Sequence, residues 1–593
     1  MNVRASGGAA LVFALVAAWF VATPARGILT LDQIKPGMRG YGKTVISGTK
    51  ISRFDVRIVD IMRSDGATPD YLFIKVGGAE IEAAGGISAG MSGSPIYINN
   101  NLVGAVAFTT EYSNTLYGYA TPIEYMLPLL EGENSASAGR GAGSSLWAAL
   151  ARCQSPVMVA GLSHRGFLRL SERLSRCGLR AVQGGGSARA GRGGWSKAVE
   201  PGAAIGIQLI RGAVNVTALG TMTYVQGNRF VAFGHSFIHH GRANFPLVRT
   251  VIHQSVPSTQ LPFRVGSPLG PVIGTVTQDR EAGVGGVLGE KPALAELSLE
   301  LGGEELAKPR TLRCELVRDR QLTPELAGIA VLGLIEAVLD RAGGGTAAYR
   351  AEVVLEDGRV ARREDVVCDS EDLAGQVGLE VQDILLALTE NPVRPADVRA
   401  IRLAVNCARE LAEAEIAGVS ASPQTVSPGE EVEVRVVLKP FRRPEEMVRL
   451  RIAVPADVRA RALRVRVHGK SCAELLKYEP WDDQPAPASL DDVVEGVATL
   501  GRRSEVVCDL ERSPLEELMG FAVGRALPLL EGPTTELRDL PERPEAPAAP
   551  ELRRLARLWT LVARSTLKTR YVVRGERSAV VNLRGPGEGG AEG

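Results

Sequence analysis

Apolar and polar residues alternate with period two along much of this chain. Between residues 28 and 130 the alternation runs through Phe54–Ile61, Tyr71–Val76 and Leu102–Phe108, with Gly, Pro, Asn and Asp between the runs. Such runs read as short strands separated by turns. The pattern returns between 203 and 300, in Ile205–Ile210, Met222–Val225 and Arg229–Phe233. The period then changes. Pro324–Asp340 and Val381–Leu388 carry helical spacing around a strand at Tyr349–Leu355, which predicts a small α+β unit. Glu431–Leu438 and Val448–Val454 alternate cleanly and predict a small β-sandwich. Residues 509–531 read as helix, Pro533–Pro550 as a Pro- and Glu-rich linker, and the tail from Glu551 as one helix followed by two closing strands within Tyr571–Leu583. Two low-complexity tracts, Glu133–Ser145 and Gly184–Gly194, read as linkers or exposed loops.

The N-terminus has a different pattern. Arg4 precedes an apolar run from Ala9 to Ala22, and small residues follow up to Gly27. Residues 1–27 therefore read as a secretory signal, with an uncleaved N-terminal anchor as the other reading; the run is short of the roughly 20 residues a membrane span needs. No other stretch was expected to cross a bilayer. The signal places the protein outside the cytoplasm: periplasmic, cell-surface or secreted. The remaining chain divides into 28–132, a 133–202 linker and Gly-rich insert, 203–305, an α+β unit at 306–412, a sandwich-like domain at 413–475 and a C-terminal part at 476–593.

Composition narrows the function classes. The 593 residues suit three or four domains. The balance of 68 basic and 67 acidic side chains argues against a broad nucleic-acid surface, which needs a clustered basic excess. Seven cysteines in an exported chain leave at least one that stays free or pairs between chains; Cys153 with Cys177 and Cys472 with Cys508 are the pairs to test first. No CxxC spacing indicates a zinc site, and no Gly-rich tract has the context of a dinucleotide or phosphate loop, so neither metal nor cofactor is expected.

The sharpest local feature is Gly90-Met-Ser-Gly-Ser-Pro95, between predicted strands. Glycines flanking a serine let the backbone bend so that amide N–H groups converge. Ser92 can then act as a nucleophile, with the N–H groups of Gly90 and Ser92 receiving an oxyanion. The same residue types also make ordinary turns. A serine nucleophile needs a base, and there are only six histidines. His235, at the end of Arg229-Phe-Val-Ala-Phe-Gly-His, is best placed to face a cleft. His253 reads as a satisfied buried or half-buried histidine, and His164, His239, His240 and His468 read as exposed.

Six segments together resemble the SpoIVB peptidase family, serine peptidases of type S55. They are Arg53–Val59, Ala84–Ile96, Gly118–Leu127, Ala218–Tyr224, Phe233–Phe237 and Gly274–Leu288. The resemblance implies a mainly β, chymotrypsin-like double β-barrel peptidase unit built from 28–132 and 203–305. It implies Ser92 as nucleophile, His235 as general base and a protein or peptide substrate. Three features depart from the family pattern. The serine half precedes the histidine half, no PDZ domain is visible, and Gly77 stands where the family's triad aspartate aligns. Asp279, Asp55, Asp60 and Glu82 are the acids that could substitute, with Asp279 ranked first because it lies in the histidine half. The missing aspartate also motivates a reading of another class: a weak or inactive scaffold that binds peptides or envelope proteins.

Overall fold

The structure, a computed structural model, describes residues 27–64, 69–109, 112–131, 155–184, 186, 198–469, 487–499, 501–513 and 559–584. The signal segment up to residue 26, the first linker, most of the second Gly-rich tract and the Pro-rich linker lie outside the described residues.

Strict alternation closes the first strands into a barrel. They are β1 (Arg39–Val45), β2 (Ile51–Met62), β3 (Tyr71–Gly77), β4 (Pro95–Ile98), β5 (Asn101–Phe108) and β6 (Tyr117–Pro122). Neighbours pair in the order β1-β2-β3-β6-β5-β4, and β4 pairs back onto β1. Every second residue of β2 points inward, so Phe54, Val56 and Ile58 are buried while Asp55 and Arg57 face out. With Leu72, Ile74, Ile96 and Val106 they form one apolar core. Each such side chain contributes about 1.5–3 kcal/mol on full burial.

The histidine half repeats this plan. Its strands are β7 (Pro156–Ala160), β8 (Arg180–Gln183), β9 (Ala204–Gly212), β10 (Asn215–Gln226), β11 (Arg229–Ala232), β12 (Gly241–Val256), β13 (Phe263–Arg280) and β14 (Gly283–Leu288). The run β9-β12-β13-β14-β11-β10 is closed by a further pairing of β9 with β10. Counted from β9, the ring again joins first to second to third to sixth to fifth to fourth. The two halves are thus topologically identical six-stranded barrels, the double-barrel architecture that the family resemblance implied.

The second barrel does not end as a separate unit. β9 also pairs with β16 (Arg310–Val317), which continues through β15 (Leu294–Gly303), β19 (Val398–Ala408), β17 (Gly345–Leu355) and β18 (Val360–Asp369). The expected α+β unit at 306–412 therefore shares one 13-stranded sheet with the histidine barrel. Its helices, Leu322–Leu339 and Leu373–Thr389, cover that sheet and share its apolar core. Leu322–Leu339 is long and apolar enough to cross a membrane, contrary to the expectation that no second stretch is, but most of it is buried inside the fold.

The sandwich is larger than 413–475. One sheet has four strands and the other five, and they enclose a core running from Ala414 to Val581. The closing strands expected within Tyr571–Leu583 are Val572–Arg574 and Glu576–Leu583. Residues 505–512 form a strand of the five-stranded sheet, which corrects the start of the helix expected at 509–531; the rest of that span is undescribed after 513. Strand Thr560–Lys568 occupies tail sequence for which only a helix was expected. Cys177 and Cys508 carry free thiols, and the partners suggested for them, Cys153 and Cys472, lie outside the described residues.

Candidate active site at the junction of two barrels

Ser92 and His235 occupy equivalent places. Ser92 lies in the connection between β3 and β4, the third and fourth strands of its barrel. His235 lies between β11 and β12, the third and fourth strands of the other. Because the barrels share one topology, exchanging their order along the chain leaves the pairing of these two connections intact. That accounts for the serine half preceding the histidine half at no geometric cost.

The serine connection packs against β10 and the start of the histidine connection. Thr221 N–H donates to Ser92 O at 2.8 Å, and Thr223 Oγ1 donates to Gly93 O at 2.7 Å. A Cβ at Gly93 would lie 2.1 Å from Thr221 O and 2.4 Å from Phe233 N. On the other side, the Gly234 carbonyl accepts from Thr121 Oγ1 at 2.5 Å, and its α-carbon faces Ala105 and Val106 of β5. The residues after Ser92 and before His235 are therefore in direct contact across the barrel boundary.

The serine turn uses its donors selectively. Met91 N–H donates to Ser88 O, Gly93 N–H to Val106 O and Ser94 N–H to Met91 O. The N–H groups of Gly90 and Ser92, alternating with these, donate to no acceptor among the described residues. They are the pair assigned from sequence to an oxyanion. Gly90 and Gly93 both have positive φ, +92° and +89°, a region that side chains with a Cβ rarely adopt.

His235 is 2% exposed and follows two consecutive left-handed residues, Phe233 and Gly234. A positive φ at a phenylalanine is a strained conformation costing about 1–3 kcal/mol. Here it is held by full burial of the Phe233 ring, which fills the space left by Gly220. The imidazole lies between the Phe108 and Phe233 rings, and its Nδ1 is 2.7 Å from Ser236 O. A carbonyl oxygen can only accept, so this bond requires the proton on Nδ1. That leaves the Nε2 lone pair as the basic position of the neutral ring.

Asp279 sits at the end of β13, just before the turn into β14, and is 1% exposed. Its Oδ1 accepts from Phe237 N–H at 2.7 Å, and its Oδ2 accepts from Ile238 and His240 N–H, each at 2.9 Å. It thus anchors the loop that carries His235, whereas Nδ1 of the ring meets a carbonyl. The other acids weighed are exposed. Asp60 accepts from Ile61 N–H and Glu82 from Gly78 N–H, while Asp55 flanks Gly78.

Three of the remaining histidines depart from expectation. His468 is buried, with Nε2 3.1 Å from Asp509 Oδ2. His240 is half-buried and paired with Asp319 at 2.7 Å, and the hydrogen bond it donates to that carboxylate raises its pKa despite burial. His253 is exposed along its strand, although its Nε2 reaches Ser267 Oγ at 2.9 Å. His164 and His239 are exposed as expected.

Two residues of the site escaped the sequence reading. Ser155 immediately precedes β7, and its Oγ lies 3.5 Å from Ser92 Oγ. Pro156 packs at 3.3 Å from the Cβ position of Gly90. Ser92 has no exposed surface in this arrangement. The second is Arg264, fully buried on β13 and bonded to Gly90 O at 2.9 Å. Its one sequence signal is a lone charge in the mostly apolar first half of β13.

Two like barrels joined at a Gly-x-Ser-Gly turn and a histidine loop define the chymotrypsin-like class of fold. Residues 22–127 match the family model of the SpoIVB peptidase S55, so over this stretch the N-terminal barrel is similar to that family. The match contains Ser92 and ends before the histidine barrel. No curated protein and no solved structure matches the chain.

Proposed function

We propose that the protein is an exported serine endopeptidase of the SpoIVB type, acting on protein or peptide substrates through Ser92 and His235. The observation that carries the reading is the serine turn: the N–H groups of Gly90 and Ser92 are left unengaged among the described residues, and the turn packs on the backbone that presents His235. In the first half-reaction Ser92 Oγ attacks the substrate carbonyl carbon while His235 Nε2 takes the hydroxyl proton. The carbonyl oxygen becomes an oxyanion held by the two N–H groups. Collapse breaks the C–N bond, and His235 passes its proton to the leaving amine. Water then attacks the acyl-enzyme with His235 again as base, releasing the new carboxyl terminus and Ser92. The Ser236 carbonyl supports the required tautomer. A neutral carbonyl stabilises the imidazolium less than a carboxylate does, which points to a slow enzyme; loss of the acid's role costs about 10⁴ in rate in a related triad. Export rests on the N-terminal apolar segment, and envelope proteins are natural partners in that compartment.

Degradation of fluorescent casein tests this. Ser92→Ala and His235→Ala should each lower the rate by about 10³-fold or more. Asp279→Asn, which weakens the anchor of the histidine loop, should lower it by about 10- to 100-fold. If the Ser92 and His235 variants both cleave casein at the wild-type rate, the proposal is lost. The sealing of Ser92 beneath Ser155–Pro156 favours a second reading, a peptide-binding scaffold without turnover. That reading predicts no cleavage by wild type and partner capture that does not depend on Ser92.

A further inference from the structure

We propose that Arg264 is the positioning residue of the oxyanion hole: from the histidine barrel it clamps both peptide planes that flank Gly90 on the serine barrel. The inference rests on the peptidase reading of Ser92 and goes beyond it.

Arg264 is the largest fully buried side chain described, with 0% exposure. It lies second in β13 and makes two kinds of bond to the serine turn. Its backbone N–H donates to Ala89 O at 3.0 Å, and Ala89 N–H in turn donates to Pro262 O at 2.7 Å. Its guanidinium Nη1 donates to Gly90 O at 2.9 Å. A trans peptide directs its C=O and N–H to opposite sides. Holding Ala89 O toward β13 therefore turns the Gly90 N–H away from β13. Holding Gly90 O on the guanidinium turns the Met91 N–H away, where it meets Ser88 O at 2.9 Å. One residue thus fixes the two planes on either side of a glycine whose own dihedrals resist little.

The clamp is braced. Nη2 donates to Thr44 Oγ1 at 2.5 Å, and Nη1 lies 3.4 Å from Thr221 Oγ1. Thr44 Oγ1 is 2.8 Å from Ser94 Oγ, which also lies 2.6 Å from Met91 O. The chain Arg264–Thr44–Ser94–Met91 returns to the turn from its far side. Glycine at 90 serves the same arrangement, because a Cβ there would press on Arg264 Cδ at 3.4 Å and Pro156 at 3.3 Å. A fixed cation beside the turn also adds positive potential where an oxyanion would form.

The test compares wild type, Arg264→Lys and Thr44→Val. Lysine keeps the charge but lacks the planar fork that spans Gly90 O and Thr44. Thr44→Val removes a brace and leaves Arg264 in place. In a fluorophosphonate reaction followed over time, the maximal inactivation rate should fall about 10- to 100-fold in Arg264→Lys and less in Thr44→Val, with the probe's half-saturation concentration little changed. A role limited to folding would instead lower the reactive fraction and leave the rate per reactive site unchanged. Hydrogen exchange of the peptide spanning the serine turn is read in parallel. It should speed up in Arg264→Lys while the strands of both barrels keep their protection. Equal inactivation rates per site, or unchanged exchange at the turn, overturns the clamp. The exchange arm needs no chemistry at Ser92, so a wild type that never reacts sinks the peptidase reading alone and still leaves the clamp judged.

Discussion

At the scale of single residues, burial changes what a side chain means. Ser92 and His235 were legible because Gly-x-Ser-Gly and Phe-Gly-His have local signatures. Arg264 and Ser155 were not, since each acquires its role from a partner more than 60 positions away. His468 looked like a surface histidine among basic residues and is buried against Asp509. Burial also sets a pH dependence at Asp383, on the helix Leu373–Thr389. Burial first, and Glu380 second, raise its carboxyl pKa to about 6, with Arg503 opposing. In the unfolded chain an aspartate titrates near 3.9. The folded state thus holds the proton to higher pH, and this group's contribution is fully present below about pH 4 and lost as pH rises through 6. Asp383→Asn should raise Tm at pH 7.5 relative to wild type and change it little at pH 4. The same Tm difference at both pH values would contradict this assignment.

At the scale of elements, periodicity located strands such as β2, β3 and, in the sandwich, Glu431–Pro440 and Glu446–Ala453, because one-sided burial forces alternation. It could not supply the closing partners. The return of β4 onto β1 and the pairing of β9 with β12 depend on register between distant segments, which a local pattern does not encode. The tail strand Thr560–Lys568 shows why alternation can fail: it edges its sheet and is mostly exposed or half-buried, so no apolar face marks it. Among the contacts at the junction of the barrels, the tightest approach described is Gly93 against Thr221 and Phe233. Gly93→Ala places a Cβ against backbone atoms at a φ of +89°, where neither side can yield cheaply. Urea denaturation should show a loss of about 3 kcal/mol or more. A change below about 0.5 kcal/mol would mean that the turn is not held in this form.

At the scale of the whole molecule, the expected string of separate units gives way to shared structure. The histidine barrel and the α+β unit share one sheet, and the tail completes the sandwich. A buried charge cluster ties these parts together. Arg503, just before the sandwich strand Glu505–Arg512, donates to Asp365 of β18 and Glu380 of the helix Leu373–Thr389. Its backbone N–H also reaches Asp365 Oδ1 at 2.9 Å. Arg363 bonds the same Asp365 at 2.9 Å. Such a cluster spans residues far apart in sequence and leaves no local trace beyond charges at buried strand positions. Arg503→Ala leaves two carboxylates buried short of a partner, and should cost about 3–5 kcal/mol in denaturant titration. A cost near that of an exposed ion pair, about 0–1 kcal/mol, would show that the cluster does not bind the parts together.

The central claim is that two separate barrels supply the halves of one reactive serine site. The most direct measurement is intact-mass and peptide-mass analysis after treatment with a fluorophosphonate, for wild type, Ser92→Ala and His235→Ala. The account predicts a single adduct on the wild-type chain, mapped to the peptide containing Ser92. It predicts no adduct on Ser92→Ala, and labelling slowed by about 10³-fold or more on His235→Ala. An adduct that persists in Ser92→Ala, or labelling of Ser92 at an undiminished rate without His235, would contradict it.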